Sequence, residues 1–306
     1  MPLFPLARRS FAALFLALVV AGPALAQAER VRVGSKIDTE GALLGSMIVL
    51  VLENLGIPVA DRVSLGPTKI VRTALLQGEI DIYPEYTGNG AFFFDRESDP
   101  AWKGAQTAYD LVKRLDAEAN RIVWLDRARA NNTWLIAVRG DVAKREGLAT
   151  MEDFAKSAGA RRLAASAEFV ESPAALPSFE RVYGFAMPRD RIVTLAGGDT
   201  AVTMRAAAQG IGGVDSAMVY GTDGAIAALG LVVMTDPKGA QIVYEPAPAI
   251  RAAVLERHPA IGPALSKVFA SLDLETLQTL NARIAVEGRP ARAVAGDYLR
   301  EKGLLR

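Results

Sequence analysis

The stretch DIYPEYTGNG, residues 81–90, has a counterpart far downstream in DSAMVYGTDG, residues 215–224. In both, an aspartate is followed after four residues by a tyrosine, and after three more by a glycine. Each stretch also follows a segment of helical pattern that ends in Gln-Gly, TKIVRTALLQG (68–78) and TAVTMRAAAQG (200–210). We interpret this as one helix–strand–loop unit that occurs twice, with a tyrosine in each loop. A chance recurrence of short motifs is the alternative.

Strand and helix patterns alternate around both units, which predicts an α/β fold with mostly parallel sheets. A first series runs from VRVGSK (31–36) to RIVWLD (121–126), and a second begins at the apolar segment TWLIAV (133–138). We assign no element to YEPAPAI (244–250), and the chain after it is largely helical in pattern. Two α/β lobes follow from this, the first interrupted by the second. Their predicted bounds are residues 27–132 with 237–306 for lobe 1, and residues 133–236 for lobe 2.

The positions of the two tyrosines suggest where a ligand would bind. In open α/β sheets, ligands bind beyond the carboxyl ends of the strands. Tyr86 and Tyr220 each follow a predicted strand, so two facing lobes would place them on opposite walls. We therefore predict a ligand cleft between the lobes and two hinge crossovers, near residues 132 and 236.

The amino terminus has the pattern of a secretory signal peptide. Two arginines precede a 16-residue apolar run, residues 11–26, which ends in the small-x-small cleavage pattern Ala-Leu-Ala. A membrane anchor is the alternative, but the run is short for a spanning helix and a proline interrupts it. We predict cleavage near Ala26 and export to the periplasm, with the Arg-Arg-Ser-Phe start leaving twin-arginine export open.

Composition narrows the function classes. Of the 306 residues, 51% are hydrophobic and 23% are charged, which is typical of a globular chain. Residues 1–26 contain two of the 35 basic residues, so the remainder has 33 basic and 34 acidic residues, a net charge of −1. Without a basic excess, nucleic acid is not an expected partner. The sequence contains no cysteine, which excludes disulfides and thiolate chemistry.

The residue types that enzymes need are scarce. His258 is the single histidine and precedes a proline, whereas a histidine base needs an orienting partner and a nucleophile. One histidine without cysteine leaves only an all-carboxylate metal site, and no segment has the pattern of a calcium loop. The glycines after the two tyrosines lack the Lys-Ser/Thr of a phosphate loop. We therefore expect no enzyme activity, no cofactor and no metal.

Aromatic residues make up only 7% of the sequence, yet four stand at predicted strand ends or between the lobes. These are Tyr86, Trp134, Tyr220 and Tyr244. Each taken alone is more often a packing residue than a ligand contact. Facing one cleft, they would form an aromatic box, whose ring faces attract a cation by about 0.5–2 kcal/mol per contact. A quaternary ammonium suits such a box because it donates no hydrogen bonds.

Several motifs in this chain resemble those of the OpuAC/ProX/OsmF-type substrate-binding proteins, which serve ABC importers of glycine betaine, choline and related osmoprotectants. The resemblance runs in order along the whole chain after residue 26. It rests on VGSKIDTEG (33–41), QGEID with PEYTG (77–88), NNTWLIAV (131–138), AEFVESPAALP (167–177), VYGTDG (219–224) and VYEPAP (243–248). It implies a type II periplasmic binding fold that closes on its ligand, and an inner-membrane ABC permease with its ATPase as partner.

The resemblance also implies roles for individual residues. The four aromatic residues fall where such proteins place cage aromatics, and Lys36 falls where a lysine meets the ligand carboxylate in some members. Asn89 stands where a threonine is common, and Ser172 stands where some members have a carboxylate-binding arginine. Thr222 and backbone N–H groups are the other available donors, so a ligand carboxylate would find few donors and no arginine. We therefore predict weak binding of glycine betaine, with a Kd above roughly 10 μM.

These features together predict a periplasmic solute-binding protein for glycine betaine or a related quaternary-ammonium compound. The same fold could instead bind choline, carnitine or a betaine-bearing metabolite. A secreted enzyme on an α/β scaffold and a signalling module that reports ligand status to a membrane receptor are the alternatives from other classes.

Overall fold

The structure, a computed structural model, describes residues 30–195 and 199–305. The predicted signal peptide lies outside these residues. Ten strands are present in the described part of the chain. In chain order they are β1 (Val31–Lys36), β2 (Val59–Gly66), β3 (Ile82–Tyr86), β4 (Ile122–Trp124), β5 (Trp134–Arg139), β6 (Leu163–Ser166), β7 (Ile192–Leu195), β8 (Ser216–Tyr220), β9 (Leu231–Val233) and β10 (Pro246–Arg251).

The α-helices lie mainly in the connections between strands and at the carboxyl end. They are α1 (Thr39–Asn54), α2 (Thr68–Gln77), α3 (Gly90–Phe93), α4 (Ala105–Asn120), α5 (Gly140–Glu146), α6 (Met151–Ser157), α7 (Ala167–Glu171), α8 (Leu176–Tyr183), α9 (Thr200–Gln209), α10 (Ala225–Ala228), α11 (Ala252–Arg257), α12 (Ile261–Ala270), α13 (Leu274–Ala285) and α14 (Ala291–Glu301). The carboxyl-terminal helices pack on the side of α1, which contacts α12, α13 and α14.

The strands form two sheets of identical topology. The first has the order β2-β1-β3-β10-β4 and the second the order β7-β6-β8-β5-β9. In each sheet four strands run in one direction, while β10 in the first and β5 in the second run against their neighbours. We call the part built on each sheet the first and the second lobe. The repeated sequence unit has a structural counterpart, because β3 and β8 occupy the same central position in their sheets.

Two connections join the lobes. The chain leaves the first sheet after β4 and enters the second at β5, and it returns between β9 and β10. These connections span residues 125–133 and 234–245, and the predicted lobe bounds at 132 and 236 fall within them. The bounds themselves stay predictions. A hydrophobic cluster runs across both lobes beside the connections and includes Tyr86, Trp134 and Tyr244.

The prediction of a tyrosine in the loop of each repeated unit is wrong, because Tyr86 and Tyr220 are the last residues of β3 and β8. The strand β3 continues through Pro84 to Tyr86, and one 3-10 turn, Thr87–Asn89, leads directly into α3. Pro84 is tolerated because it lies opposite Pro248 of β10 in the antiparallel ladder. Facing residues alternate between pairs that exchange hydrogen bonds and pairs that do not, so two facing prolines occupy a position where no N–H group is needed.

Strand β10 was not assigned from the sequence, because prolines within a run argue against a central strand. Its prolines are 246 and 248, alternate residues that direct their backbone groups to the same side. Their carbonyl groups accept hydrogen bonds from the N–H groups of Ala128 and Leu125, at 2.8 and 2.9 Å. The two prolines therefore lack N–H groups only on the edge of β10 that faces the chain after β4. The opposite edge of β10 pairs with β3.

Within the described residues, no helix is both long enough and apolar enough to cross a membrane.

Candidate functional site

A cavity lies between the lobes, at the carboxyl ends of the parallel strands. Lys36, Tyr86 and Tyr220 are the last residues of β1, β3 and β8, and all three line its wall. Trp134, the first residue of the antiparallel β5, and Asn89 complete the predicted residues found there. The cavity has a volume of about 50 Å³. Since about 10–15 Å³ suffices for one water molecule, the site suits a small solute.

Three of the four predicted cage aromatics form one cluster on the side of the second lobe. Trp134 lies directly opposite Tyr220 in the ladder between β5 and β8, and their rings stack at 6.5 Å between centroids. Tyr244 meets Trp134 edge-on at 5.4 Å. Edge-to-face and offset arrangements are the favoured geometries of aromatic pairs. The cluster therefore offers ring surface that is already held in place.

The fourth aromatic residue, Tyr86, stands on the opposite wall and is only 5% exposed. Its hydroxyl group donates a hydrogen bond to Glu40 Oε1 at 3.0 Å. The ammonium group of Lys36 lies 4.6 Å from the centre of the Tyr86 ring. The structure thus brings Tyr86, Trp134 and Tyr220 to one cavity, while Tyr244 lies behind Trp134.

Tyr220 is fixed by the residues that follow it. Asp223 accepts hydrogen bonds from the Tyr220 N–H group at 2.7 Å and from the Thr200 hydroxyl at 2.8 Å. Burial raises the pKa of the Asp223 carboxyl to about 7. The end of β8 is therefore tied to the start of α9, which holds the tyrosine ring at the cavity.

Two of the residues predicted to contact a ligand carboxylate, Lys36 and Asn89, bind an internal carboxylate. Lys36 Nζ lies 2.8 Å from Glu85 Oε1, and Asn89 Nδ2 donates to the same oxygen at 2.7 Å. Tyr83 donates to the other oxygen, Oε2, at 2.6 Å. Glu85 is fully buried, so its charge depends on these donors. A ligand carboxylate would share Lys36 and Asn89 with Glu85.

The remaining two predicted residues do not lie on the cavity wall. Thr222 is buried, and its hydroxyl group accepts a hydrogen bond from Asn132 Nδ2 at 2.7 Å. Ser172 is half-buried at the end of α7, where its N–H group donates to the carbonyl oxygen of Glu168. The structure therefore does not bring Thr222 or Ser172 together with the aromatic residues, and their ligand contacts stay predictions.

Four polar residues of the wall were not singled out from the sequence: Asp38, Thr68, Asn132 and Glu168. Asp38 is the N-cap of α1 and accepts a hydrogen bond from the Gly41 N–H group at 2.8 Å. Partial desolvation by the surrounding walls raises the pKa of Asp38 and of Glu168, and the nearby Lys36 charge opposes both rises. Asp38 could have been predicted from the sequence, because it is a helix N-cap close to the motif VGSK. No local pattern in the sequence indicates that Glu168 lies at the site.

The charges of the wall favour a cationic ligand. Two carboxyl groups, Asp38 and Glu168, face the cavity with Lys36, whose charge is already paired with Glu85. Aromatic faces add further attraction for a cation. The arrangement thus matches a ligand with a positively charged group and little anionic character elsewhere.

The two lobes, their cleft and their two connections define a type II periplasmic binding protein, as the sequence predicts. A solved structure of a glycine betaine/carnitine/choline ABC transporter protein has this fold, with a TM-score of 0.71 at 21% identity, and the match covers 90% of this chain and 98% of the other. The solved structure of apo YehZ from Escherichia coli gives a TM-score of 0.70 at 56% identity, over 90% of this chain and all of the other.

Sequence comparison assigns the family. Residues 29–301 match the model of the substrate binding domain of the ABC-type glycine betaine transport system. The chain is 56% identical over 282 residues to the glycine betaine-binding protein YehZ of Escherichia coli K12, covering 91% of this chain and 92% of that protein. It is 32% identical over 290 residues to a glycine-betaine-binding protein of Pseudomonas aeruginosa, covering 92% and 90%. The chain therefore belongs to this family of ABC transporter substrate-binding proteins, and the predicted resemblance is confirmed.

Proposed function

We propose that this chain captures glycine betaine or a related quaternary-ammonium osmoprotectant between its lobes. The observation that carries the proposal is the pair of aromatic walls, Tyr86 on the first lobe and Trp134 with Tyr220 on the second, around a cavity with two carboxyl groups. A quaternary ammonium has no N–H group to hydrogen-bond and is readily desolvated, so ring faces and nearby carboxylates are the matching environment. The names of the two relatives support glycine betaine as the ligand.

The acidic wall favours a second candidate, a cation without a carboxylate such as choline. Glycine betaine would bring its own carboxylate into a cavity that already contains Asp38 and Glu168. The donors that could receive it, Lys36 and Asn89, are engaged by Glu85. Choline carries only a hydroxyl group at that end and meets no such repulsion.

We further propose that the chain is exported to the periplasm after cleavage near Ala26, and that it delivers its solute to an inner-membrane permease with its ATPase. A ligand contacts both lobes at once only when they lie close together, so bound ligand would stabilise a closed arrangement of the lobes. The permease could then recognise the ligand-bound protein by that arrangement. Catalysis has no part in this role.

Calorimetric titration with glycine betaine, choline and carnitine tests the function. We expect binding of at least one of them, with a Kd for glycine betaine above roughly 10 μM. Replacing Trp134 with Ala should weaken the best ligand by at least about tenfold, since it removes ring surface and releases Tyr220 and Tyr244.

Phe94→Ala is the matched control, because Phe94 is a partly buried aromatic residue of the hydrophobic cluster outside the cavity wall. It should leave the affinity unchanged. Failure of all three compounds to bind would overturn the proposed function, and wild-type affinity of the Trp134→Ala variant would show that the cage is misplaced.

A further inference from the structure

A buried carboxylate lies directly behind the cavity wall. Glu40 is the second residue of α1 and is 4% exposed. Its Oε1 atom accepts hydrogen bonds from the Tyr86 hydroxyl at 3.0 Å and from Asn132 Nδ2 at 2.8 Å. Its Oε2 atom accepts one from Asn281 Nδ2 at 2.8 Å. Glu40 does not itself line the cavity, but Tyr86 and Asn132 do.

The two amides extend these contacts to the second lobe. Asn132 Nδ2 also donates to Thr222 Oγ1 at 2.7 Å, and Asn281 Nδ2 donates to the Thr222 carbonyl oxygen at 3.0 Å. Each amide nitrogen thus lies between two acceptors, which fixes its orientation. Glu40 therefore joins α1, the end of β3, a connection between the lobes and α13, with the loop after β8 held through Thr222.

None of the side chains that hydrogen-bond Glu40 carries a charge. Burying a carboxylate is costly unless hydrogen bonds or a cation compensate for its lost hydration. Burial raises the pKa of Glu40, and hydrogen bonds from the Thr222 hydroxyl and from the Asn132 and Asn281 amides oppose that rise. Because every contact at its oxygens is a donor, the structure fits the ionised carboxylate. Packing alone does not call for such a costly group.

The hydrogen bond from Tyr86 has a consequence for the cavity. A phenol whose O–H group donates a hydrogen bond to an anion becomes polarised, and electron density moves into the ring. A more electron-rich ring face attracts a cation more strongly. A cation already lies near this ring, because Lys36 Nζ is 4.6 Å from its centre. The negative charge of Glu40 lies at the hydroxyl end of the same ring and adds to the attraction.

We propose that Glu40 is a positioning residue for the cation site: it holds the Tyr86 ring and the Asn132 amide in the wall and polarises that ring toward a quaternary ammonium. This inference rests on the proposed function. Glu40 touches no ligand and acts through Tyr86, which makes the effect of Glu40 dependent on the Tyr86 hydroxyl. A role in folding stability alone would not produce that dependence.

A double-mutant cycle measures the dependence. Glu40→Gln, Tyr86→Phe and the double variant are titrated calorimetrically with choline and with glycine betaine. Glutamine keeps the size of Glu40 and can accept from Tyr86, but it lacks the charge. Asn281 Oδ1 is buried without a hydrogen-bond partner, so a turned Asn281 amide can accept the new donor. Glu53→Gln is the matched control, because Glu53 is an exposed residue near the other end of α1.

We expect Glu40→Gln to weaken choline binding by about tenfold and Tyr86→Phe by about threefold. In the Tyr86→Phe background, Glu40→Gln should cost less than about threefold, because the polarised hydroxyl group is already gone. Glu53→Gln should match the wild type. Equal losses from Glu40→Gln in both backgrounds would overturn the proposal, as would unchanged affinity of the single variant.

A readout without ligand separates this proposal from the proposed function. In protein labelled with ¹³C at the tyrosine ring carbon that bears the hydroxyl, the Tyr86 resonance is assigned by its loss in Tyr86→Phe. Glu40→Gln should move it, and Glu53→Gln should not. If the wild type binds none of the compounds, the proposed function fails. The link between Glu40 and Tyr86 is judged separately: a shifted Tyr86 resonance in Glu40→Gln would support the link, and an unchanged resonance would overturn it.

Discussion

Glu85 determines how strongly the site can bind an anionic group of a ligand. It is fully buried and receives hydrogen bonds from Asn89 and Tyr83 beside the ion pair with Lys36. A ligand carboxylate must draw Lys36 or Asn89 partly away from this group, which would leave a buried charge with fewer donors. The engagement of Lys36 and Asn89 by Glu85 thus supports the predicted weakness of glycine betaine binding independently of the serine predicted at the site, Ser172. This engagement acts on the carboxylate and not on the ammonium group.

Glu168 gives a direct test of charge at the wall. Replacing it with Gln should weaken choline by about tenfold, because a nearby carboxylate contributes about 1.4 kcal/mol to holding a cation in a partly screened site. Glycine betaine should change by less than about threefold. In that zwitterion, the lost attraction for the ammonium is offset by relief of repulsion with the carboxylate. Calorimetric titration of both compounds measures the ratio.

Glu171→Gln is the control for this prediction, since Glu171 is exposed on the same helix and does not line the cavity. It makes the same change in net charge without a change at the wall. If Glu168→Gln alters both affinities equally, the wall charge does not discriminate between the compounds.

At the scale of elements, the loop after β8 lies against the backbone of α13 at Gly224. A Cβ atom at Gly224 would meet the carbonyl oxygen of Gln278 and would lie 2.5 Å from the nitrogen of Ala282. The same helix holds the preceding loop, through hydrogen bonds from Gln278 to the Gly221 carbonyl and from Asn281 to the Thr222 carbonyl. Only a residue without a side chain allows the loop after β8 to lie against this helix backbone.

Gly224→Ala should therefore destabilise the protein by about 1–3 kcal/mol, since the added methyl group forces backbone to move. Urea denaturation measures the free energy of unfolding. Gly159→Ala is the control, because a Cβ atom there meets nothing within 4 Å and its φ is not positive. It should change the free energy by less than about 0.5 kcal/mol. Equal stability of the two variants would contradict the close approach.

Much of the fold was predictable because its signals are local. β1, α1 and β5 follow from alternating or apolar patterns, and the repeated unit correctly marks two strands at the same sheet position. Of the candidate site residues, Tyr86, Trp134 and Tyr220 reach one cavity because they stand at strand ends.

The parts that the sequence did not predict depend on distant partners. β10 tolerates its prolines because Pro248 faces Pro84 and because both of its prolines direct their backbone groups to the chain after β4. The role of Glu85 depends on Lys36 from another strand. Periodicity and spacing describe one segment at a time, and these contacts join segments that are far apart in the chain.

For the whole molecule, the two connections define how the lobes can move. The lobes are joined by two segments, residues 125–133 and 234–245. Within them, Thr133 donates to the carbonyl of Ile242, and Asn132 connects Glu40 with Thr222. These contacts lie within the connections, so we expect any rotation of the lobes to occur about them.

We expect ligand to draw the lobes together, because a quaternary ammonium gains contacts with Tyr86 and with Trp134 at the same time only in a closed arrangement. Small-angle X-ray scattering should show a smaller radius of gyration in saturating ligand than without it, with binding confirmed calorimetrically on the same sample. Trp134→Ala at the same ligand concentration is the control, and its radius should change less because one wall has lost its contact. A constant radius for the wild type at confirmed saturation would mean that binding does not depend on closure, and the ligand would then have to enter a cleft whose walls keep their spacing.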